Sequence, residues 1–183
     1  MWLKQQTYFE QPDVRFDGEL LIAVMDAEGR SGVYSTIEAI GQLHEPWQYG
    51  VPFISMQRKT NHEINKLDSL KLSIDIPGMN PATVRNLQVF ANFDYLLSEK
   101  LQIEMSGLLH VNLDTPNGVA KAIVYGDLEF EQAAPILIDS IRRDLYLDSP
   151  LSTEMFEKHG LVGMLEFYEA RNDKLRFNYQ HWI

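Results

Sequence analysis

Apolar and polar residues alternate along most of this 183-residue sequence, and that period of two restricts the possible folds more than any other feature. Successive side chains of a β-strand point to opposite faces of a sheet, so such runs are typical of strands with one face on a core. Phe90 interrupts the alternation of its run, which predicts a strand covered on both faces. Two further runs are more continuously apolar, and we expect them near the centre of a sheet. The alternating runs are 70–76, 87–93, 101–105, 109–113, 128–131 and 175–179, and the two apolar runs are 19–25 and 51–56.

Residues that favour turns separate these runs. Asn117-Gly118 lies between two alternating runs and predicts a β-hairpin, because both residues tolerate the positive φ of a two-residue hairpin turn. Asp17-Gly18 indicates an earlier turn, and the glycine-flanked segment 29–32 lacks the spacing of a phosphate-binding loop and is interpreted as a hairpin turn. About eight strands separated by such turns predict a mainly β fold, either an antiparallel β-sandwich or a barrel-like variant of it.

The segment 152–171 departs from the alternation, because its apolar residues follow a spacing closer to that of a helix. Ser152 is a suitable N-cap, whereas Gly160 and Gly163 weaken the middle by up to ~1 kcal/mol each relative to alanine. One kinked helix and two short helices are both compatible with this pattern. A further short helical turn is predicted at 36–43. Since no linker or repeat divides the chain, residues 1–183 are predicted to form a single β-rich domain with one or two short helices near its C-terminal third.

Composition and charge exclude several classes of function. The chain has no cysteine, so it can form neither disulfides nor thiolate metal sites. Its net charge of −10 opposes binding to the phosphates of nucleic acids, and we expect no nucleic-acid partner. No apolar run reaches the roughly 18–20 residues that a helix needs to cross a bilayer.

Residues that could support catalysis are present without a recognisable motif. No two of the five histidines have the spacing of a helical zinc pair, and no serine lies in a Gly-x-Ser-x-Gly turn. A hydrolase with paired carboxylates is one hypothesis, although a solvated acidic face is favoured in so acidic a chain. We therefore predict no catalytic residue, metal, cofactor or small-molecule substrate. The carboxylates that this hypothesis would use are Asp139, Asp144, Asp148, Glu154 and Glu157.

Aromatic residues lie at both ends of the sequence. Trp2 and Tyr8 are near its start and Trp182 is near its end. Tryptophan and tyrosine favour the boundary between membrane and water, so these three residues are candidates for a membrane-proximal position. Two other interpretations remain open: the rings cap the ends of the core, or they form a platform with which a soluble β-sandwich binds a carbohydrate or a lipid.

The first sixteen residues have an unusual order. Pro12 favours extended backbone at Gln11, and Val14 and Phe16 alternate with Asp13 and Arg15 as in a half-buried strand. This segment resembles the one that follows the first membrane span in the transmembrane protein 231 family. Further steps resemble that family in the same order along the chain: Tyr34-Ser35-Thr36, Val51–Ser55, Leu70–Pro77, Val124-Tyr125-Gly126-Asp127-Leu128 and Tyr168-Glu169-Ala170-Arg171-Asn172.

The resemblance implies a protein with two membrane spans, whose large loop corresponds to this chain and lies on the extracellular or lumenal side. It also implies a non-enzymatic, structural role at the ciliary transition zone. There the family contributes to cilium assembly and to the diffusion barrier that controls the composition of the ciliary membrane. The expected partners are other membrane proteins of the Meckel-syndrome complex, and the membrane itself is reached through the flanking spans.

Overall fold

The computed structural model describes residues 9–43, 47–61, 66–99, 102–133, 142–144 and 146–183. Within these ranges, eight strands pair antiparallel and a short ninth strand pairs in parallel, which confirms the predicted mainly β fold. In chain order, the elements are β1 (Asp13–Asp26), β2 (Ser31–Ser35), α1 (Glu38–Gly41), β3 (Phe53–Asn61), β4 (Lys66–Asp75), β5 (Val84–Leu97), β6 (Gln102–Asp114), β7 (Ile123–Gln132), β8 (Arg142–Asp144), α2 (Thr153–Glu169) and β9 (Asp173–Trp182).

A central sheet of five strands has the order β2-β1-β5-β6-β8. β5 and β6 pair along nearly their whole lengths, from Asn86 opposite Asp114 to Leu97 opposite Ile103. The two alternating runs predicted as separate strands within 101–113 are therefore one strand. Gly107 lies in the middle of β6 and does not interrupt it, because alternation alone does not show where one strand ends and the next begins.

Two two-stranded sheets cover one face of the central sheet: the β3–β4 hairpin, and the β7–β9 pair, whose strands are separated in the chain by β8 and α2. Apolar residues of both small sheets pack on inward-facing residues of β1, β5 and β6, so the fold is the predicted β-sandwich. The central position expected for residues 51–56 is wrong, because β3 belongs to an outer hairpin. Val51, Phe53 and Met56 are exposed there, and Ile54 is partly buried against the core.

The helices cover the opposite face of the central sheet. Phe90 is fully buried in a cluster with residues of α1 and α2. Its neighbour Ala91 is buried on the opposite face, which the two small sheets cover. This confirms that β5 is covered on both faces. α2 is one helix with a kink at Gly160, whose φ of 65° and ψ of −167° lie outside the helical region.

Two turn predictions need correction. At Asn117-Gly118 the chain does turn, with φ of +84° at Gly118, but the flanking strands do not pair: β6 lies beside β5 and β8, and β7 lies beside β9. The chain instead leaves the central sheet for the outer layer, and the turn is held by a bond of 2.9 Å from Val119 N–H to the Pro81 carbonyl. Asp17-Gly18 is not a turn but an irregularity within the continuous strand β1, where the pairing with β5 shifts register between Phe16 and Leu20.

Candidate interaction surfaces

The first strand explains part of the family-like N-terminal segment. Val14 and Phe16 pack between the two layers, and the Phe16 ring lies 5.6 Å from that of Phe93. Arg15 lies on the solvent side and forms an ion pair of 2.8 Å with Asp13. The alternation predicted for this segment is confirmed, and its apolar residues are part of the core.

Glu10 and Gln11 attach the start of the described chain to two other strands. The Gln11 side chain donates from Nε2 to the Leu67 carbonyl of β4 at 2.5 Å. The Glu10 carboxylate accepts from the backbone N–H groups of 98–99, at 2.8 and 2.9 Å, where β5 has ended. Pro12 precedes β1, where its missing N–H leaves no gap in the ladder. These contacts hold β1 in place rather than forming a binding site.

A buried polar network, which the alternation concealed, surrounds the irregularity in β1. Asn92 lies on the face of β5 that Phe90 predicted to be covered, and it is 1% exposed. Its Nδ2 donates to Asp17 of the irregular segment, and its Oδ1 accepts from Ser106 Oγ at 2.9 Å. Burial raises the pKa of Asp17, although hydrogen bonds from Glu19 N–H and from Asn92 oppose the shift.

Thr36, which belongs to one of the family-like steps, completes the hydrogen bonding of this irregular segment. Its Oγ accepts from Leu20 N–H at 2.8 Å and lies 3.0 Å from the carbonyl oxygen of Gly18. Gly18 has a φ of +97°, a conformation in which a side chain is strained. The threonine therefore has a structural role.

Gly126 and Asp127 lie on opposite faces of β7. A Cβ on Gly126 would lie 2.6 Å from Cε2 of Phe177, so the glycine leaves room for this ring on the neighbouring strand. Asp127 is exposed and lies opposite Asn178 in the β7–β9 register. The glycine in this family-like step therefore has a packing role.

Arg171 and Asn172 connect α2, β6 and the segment that precedes α2. The Arg171 guanidinium carbon lies 4.6 Å from the centre of the Tyr146 ring and 5.1 Å from that of Tyr168, and Nη1 donates to the Ser106 carbonyl at 3.0 Å. Burial lowers the pKa of Arg171, which nevertheless remains a cation at neutral pH. Asn172 N–H donates to the Tyr146 hydroxyl at 3.3 Å. Sequence reasoning identified Arg171 and Asn172 by resemblance alone and did not find Tyr146.

Hydrogen bonds with other segments also occupy part of the edge of β6 that β8 leaves free. The Tyr179 hydroxyl of β9 accepts from the Asn112 N–H at 3.0 Å and donates to the Asn112 carbonyl at 3.1 Å. Ser106 N–H donates to the Tyr146 carbonyl at 3.0 Å. Because an open strand edge is a template for further pairing, these contacts remove part of β6 as a surface for strand addition.

The carboxylates of the hydrolase hypothesis are not brought together in the part of the chain that the structure describes. Asp148, Glu154 and Glu157 are exposed, and Glu154 pairs with Lys158 at 2.5 Å. Asp139 lies outside the described residues, and Asp144 belongs to β8. Among the described residues, no group of three or more histidines and carboxylates could hold a metal ion.

His110 is the histidine with the most unusual surroundings among the described residues. Its ring stacks on Phe90 at 4.4 Å, and its Nε2 is buried with no hydrogen-bond partner among the described atoms. Burial lowers the pKa of His110, with Glu169 opposing the shift. The ring therefore contributes to packing as a neutral group at pH 7.

Two exposed apolar residues lie on α2, and we call Val162 and Phe167 together the helix patch. Val162 is 68% exposed and Phe167 is 53% exposed, although both belong to the helix that covers the central sheet. The Phe167 ring packs against that of His159 at 5.1 Å. A small cavity of about 80 Å³ lies beside the patch, lined in part by Phe167.

A second exposed apolar surface lies at one end of the β7–β9 pair. We call it the aromatic tip, and it consists of Ile123, Tyr125, Trp182 and Ile183. The rings of Tyr125 and Trp182 meet edge to face at 5.5 Å. The structure thus gives Trp182 a partner that the sequence did not indicate. Trp2 and Tyr8, the other candidates for a membrane-proximal position, lie outside the described residues.

No helix among the described residues has both the length and the apolar character needed to span a bilayer. The family model described as Transmembrane protein 231 matches residues 1–183. Relatives of the same name are 28% identical in Xenopus tropicalis, 26% in Homo sapiens and 27% in Mus musculus, each over 93% of this chain and 55% of the relative. The chain thus spans about half the length of these relatives. No solved structure matches it.

Proposed function

The chain belongs to the transmembrane protein 231 family, and we propose that it forms the extracellular or lumenal domain of a two-span membrane protein of the ciliary transition zone. In this role the domain contributes to the diffusion barrier that controls the composition of the ciliary membrane, and to cilium assembly. It acts by contact with neighbouring proteins and not by catalysis. The observation that carries the proposal is the family match over all 183 residues.

The packing of the domain supports a structural role. The central sheet is covered on both faces, and fully buried side chains such as Leu21, Ile22 and Phe90 line its two sides. Each such side chain contributes roughly 1.5–3 kcal/mol by leaving water. A domain with a core on both sides of one sheet is stiff enough to obstruct passage along a membrane when it packs against its neighbours.

The helix patch is the surface through which we expect other membrane proteins of the Meckel-syndrome complex to bind. Aromatic side chains are enriched in the cores of protein interfaces, and Phe167 and Val162 are both more than half exposed. The charged residues Glu157, Lys158 and Glu166 are exposed on the same helix. An apolar centre with polar residues near it is typical of protein interfaces.

The test replaces the endogenous protein of ciliated cells with the full-length protein carrying V162E and F167E. We expect this variant to recover fewer Meckel-complex membrane proteins by co-precipitation and to admit into the cilium membrane proteins that are normally excluded. The matched control carries Q57E and Q102E, which add the same charge at exposed polar positions. Normal co-precipitation together with an intact barrier in the patch variant would contradict the proposed contact.

A further inference from the structure

The aromatic tip brings together side chains from two distant parts of the chain. Ile123 lies opposite Trp182 and Tyr125 lies opposite Gln180, so these four residues share one face of the β7–β9 pair. Leu128 and Phe177, which oppose each other on the other face, pack toward the core or lie half-buried. The tip therefore belongs to the face of the β7–β9 pair that is turned away from the central sheet.

The tip is unusually exposed for such apolar side chains. Tyr125 is 64% exposed, Trp182 and Ile183 are each 57% exposed, and Ile123 is 37% exposed. Contiguous exposed apolar patches commonly mark sites of interaction with proteins or membranes. The exposure alone does not distinguish between these two partners.

The distribution of charge around the tip favours a membrane over a protein as its partner. Segments 115–126 and 177–183, which contain the tip, include none of the 26 acidic residues of the chain, and Lys121 is their one lysine or arginine. Lys121 and Ile183 line the same open depression, which is bordered by the turn at 115–118. The opposite end of the β7–β9 pair carries the charged residues Asp127, Glu129, Glu131, Lys174 and Arg176.

We propose that the aromatic tip inserts into the interface of a lipid bilayer, at the boundary between headgroups and acyl chains. Indole and phenol rings are apolar bodies with a polar atom, which suits this boundary, and the isoleucines add apolar area. Lys121 can extend its amine toward lipid phosphates. The tip has no acidic side chain that those phosphates would repel, whereas charged residues lie on the same helix as the helix patch. The proposal rests on the proposed function only in assuming that a bilayer lies beside the domain.

The test uses phosphatidylcholine vesicles and a form of the 183-residue chain in which Trp182 is the single tryptophan, through W2F and W47F. A histidine tag holds the chain on vesicles that contain nickel-chelating lipid. Brominated acyl chains quench tryptophan only where it enters the bilayer interface. We expect quenching and a blue shift of Trp182 emission, and a roughly tenfold fall in the inserted-to-free ratio when Y125S and I183S are added, which corresponds to about 1.4 kcal/mol.

Two controls isolate the tip from the rest of the domain. V162S and F167S remove a similar amount of exposed apolar surface from the helix patch, and the quenching of Trp182 should persist. A chain that keeps Trp47 as its single tryptophan, through W2F and W182F, retains the native packing around that ring and should show no quenching. Circular dichroism establishes that each form is folded.

Three results would overturn the proposal. One is Trp182 emission that brominated lipid leaves unchanged in a folded chain, and a second is an equal loss of quenching in the helix-patch variant. The third is quenching that appears only after anionic lipid is added to the phosphatidylcholine vesicles and that is lost with K121Q but not with Y125S and I183S, since this would be electrostatic adsorption. None of these results bears on the ciliary co-precipitation test. A tip variant that loses a protein partner in detergent, with no quenching in the parent, would instead assign the tip to protein binding.

Discussion

Replacement of Gly107 by alanine should disturb the packing of the β7–β9 pair on the central sheet and so lower the free energy of unfolding. Gly107 lies opposite Phe93 in the middle of β6, on the face that the β7–β9 pair covers. An added Cβ would lie 2.6 Å from Cγ and 2.9 Å from Cβ of Leu175 in β9. Leu175 is 2% exposed and packs among Tyr95, Ile103 and other core residues, so it cannot move aside freely.

The size of the effect follows from two opposing contributions. Insertion of an extra carbon into a packed core costs about 1–3 kcal/mol. The reduced freedom of alanine in the unfolded chain returns about 0.4–1 kcal/mol. We expect G107A to lower the free energy of unfolding by roughly 1–2 kcal/mol, and the midpoint of thermal unfolding by about 2–4 °C per kcal/mol for a domain of this size.

Urea unfolding followed by circular dichroism measures this free energy by linear extrapolation. The L175A background tests the cause: this change alone should cost about 2–5 kcal/mol. In its presence G107A should cost clearly less than in the parent, because of the three close contacts only the one with the Cβ of residue 175, at 2.9 Å, is left. G41A is the matched control, since its Cβ would meet one backbone oxygen at 4.0 Å and nothing closer. Equal costs of G107A with and without Leu175 would refute the steric explanation, as would a G107A protein as stable as the parent.

Two further predictions concern Asp26 and Arg171. Burial raises the pKa of Asp26, but hydrogen bonds from Arg30 and neighbouring N–H groups outweigh it and hold the pKa below the usual 3.8. The ionised carboxylate therefore stabilises the fold above that pH, and the stability is lost as pH falls through the lowered pKa. D26N should be less stable than the parent at pH 7 in urea titrations, and the difference should narrow as pH falls below 3.8; a constant difference would contradict this linkage. R171K keeps the charge but loses the planar group that stacks on Tyr168, so it should cost roughly 1–2 kcal/mol; urea unfolding indistinguishable from the parent would show that stacking contributes little.

Alternation predicted most strand positions correctly, and Phe90 correctly indicated that β5 is covered on both faces. Alternation did not show how a polar residue on the covered face is accommodated. Asn92, on the same face as Phe90, is buried and hydrogen-bonded to Asp17 and Ser106. A polar residue next to a buried aromatic on the same face is better explained by a hydrogen-bonded network than by solvent.

The candidate surfaces were predicted to a smaller extent than the fold. Resemblance identified Gly126 and Arg171, and the structure shows that their roles lie in packing, beneath the ring of Phe177 and beside those of Tyr146 and Tyr168. Trp182 was identified from its residue type and position, but Tyr125 was not, since it reaches Trp182 only through the pairing of β7 with β9.

The sequence alone determined the mainly β character of this domain, the helical segment before its last strand and the positions of several turns. These features depend on the period of a strand, on backbone sterics and on glycine, all of which act over a few neighbouring residues. Only the tertiary structure decided that β7 pairs with β9 rather than with β6, that 51–56 lies in an outer hairpin, and that Tyr125 and Trp182 form one surface. Strand pairing is decided by contacts between residues far apart in the chain, and many pairings satisfy the same local alternation.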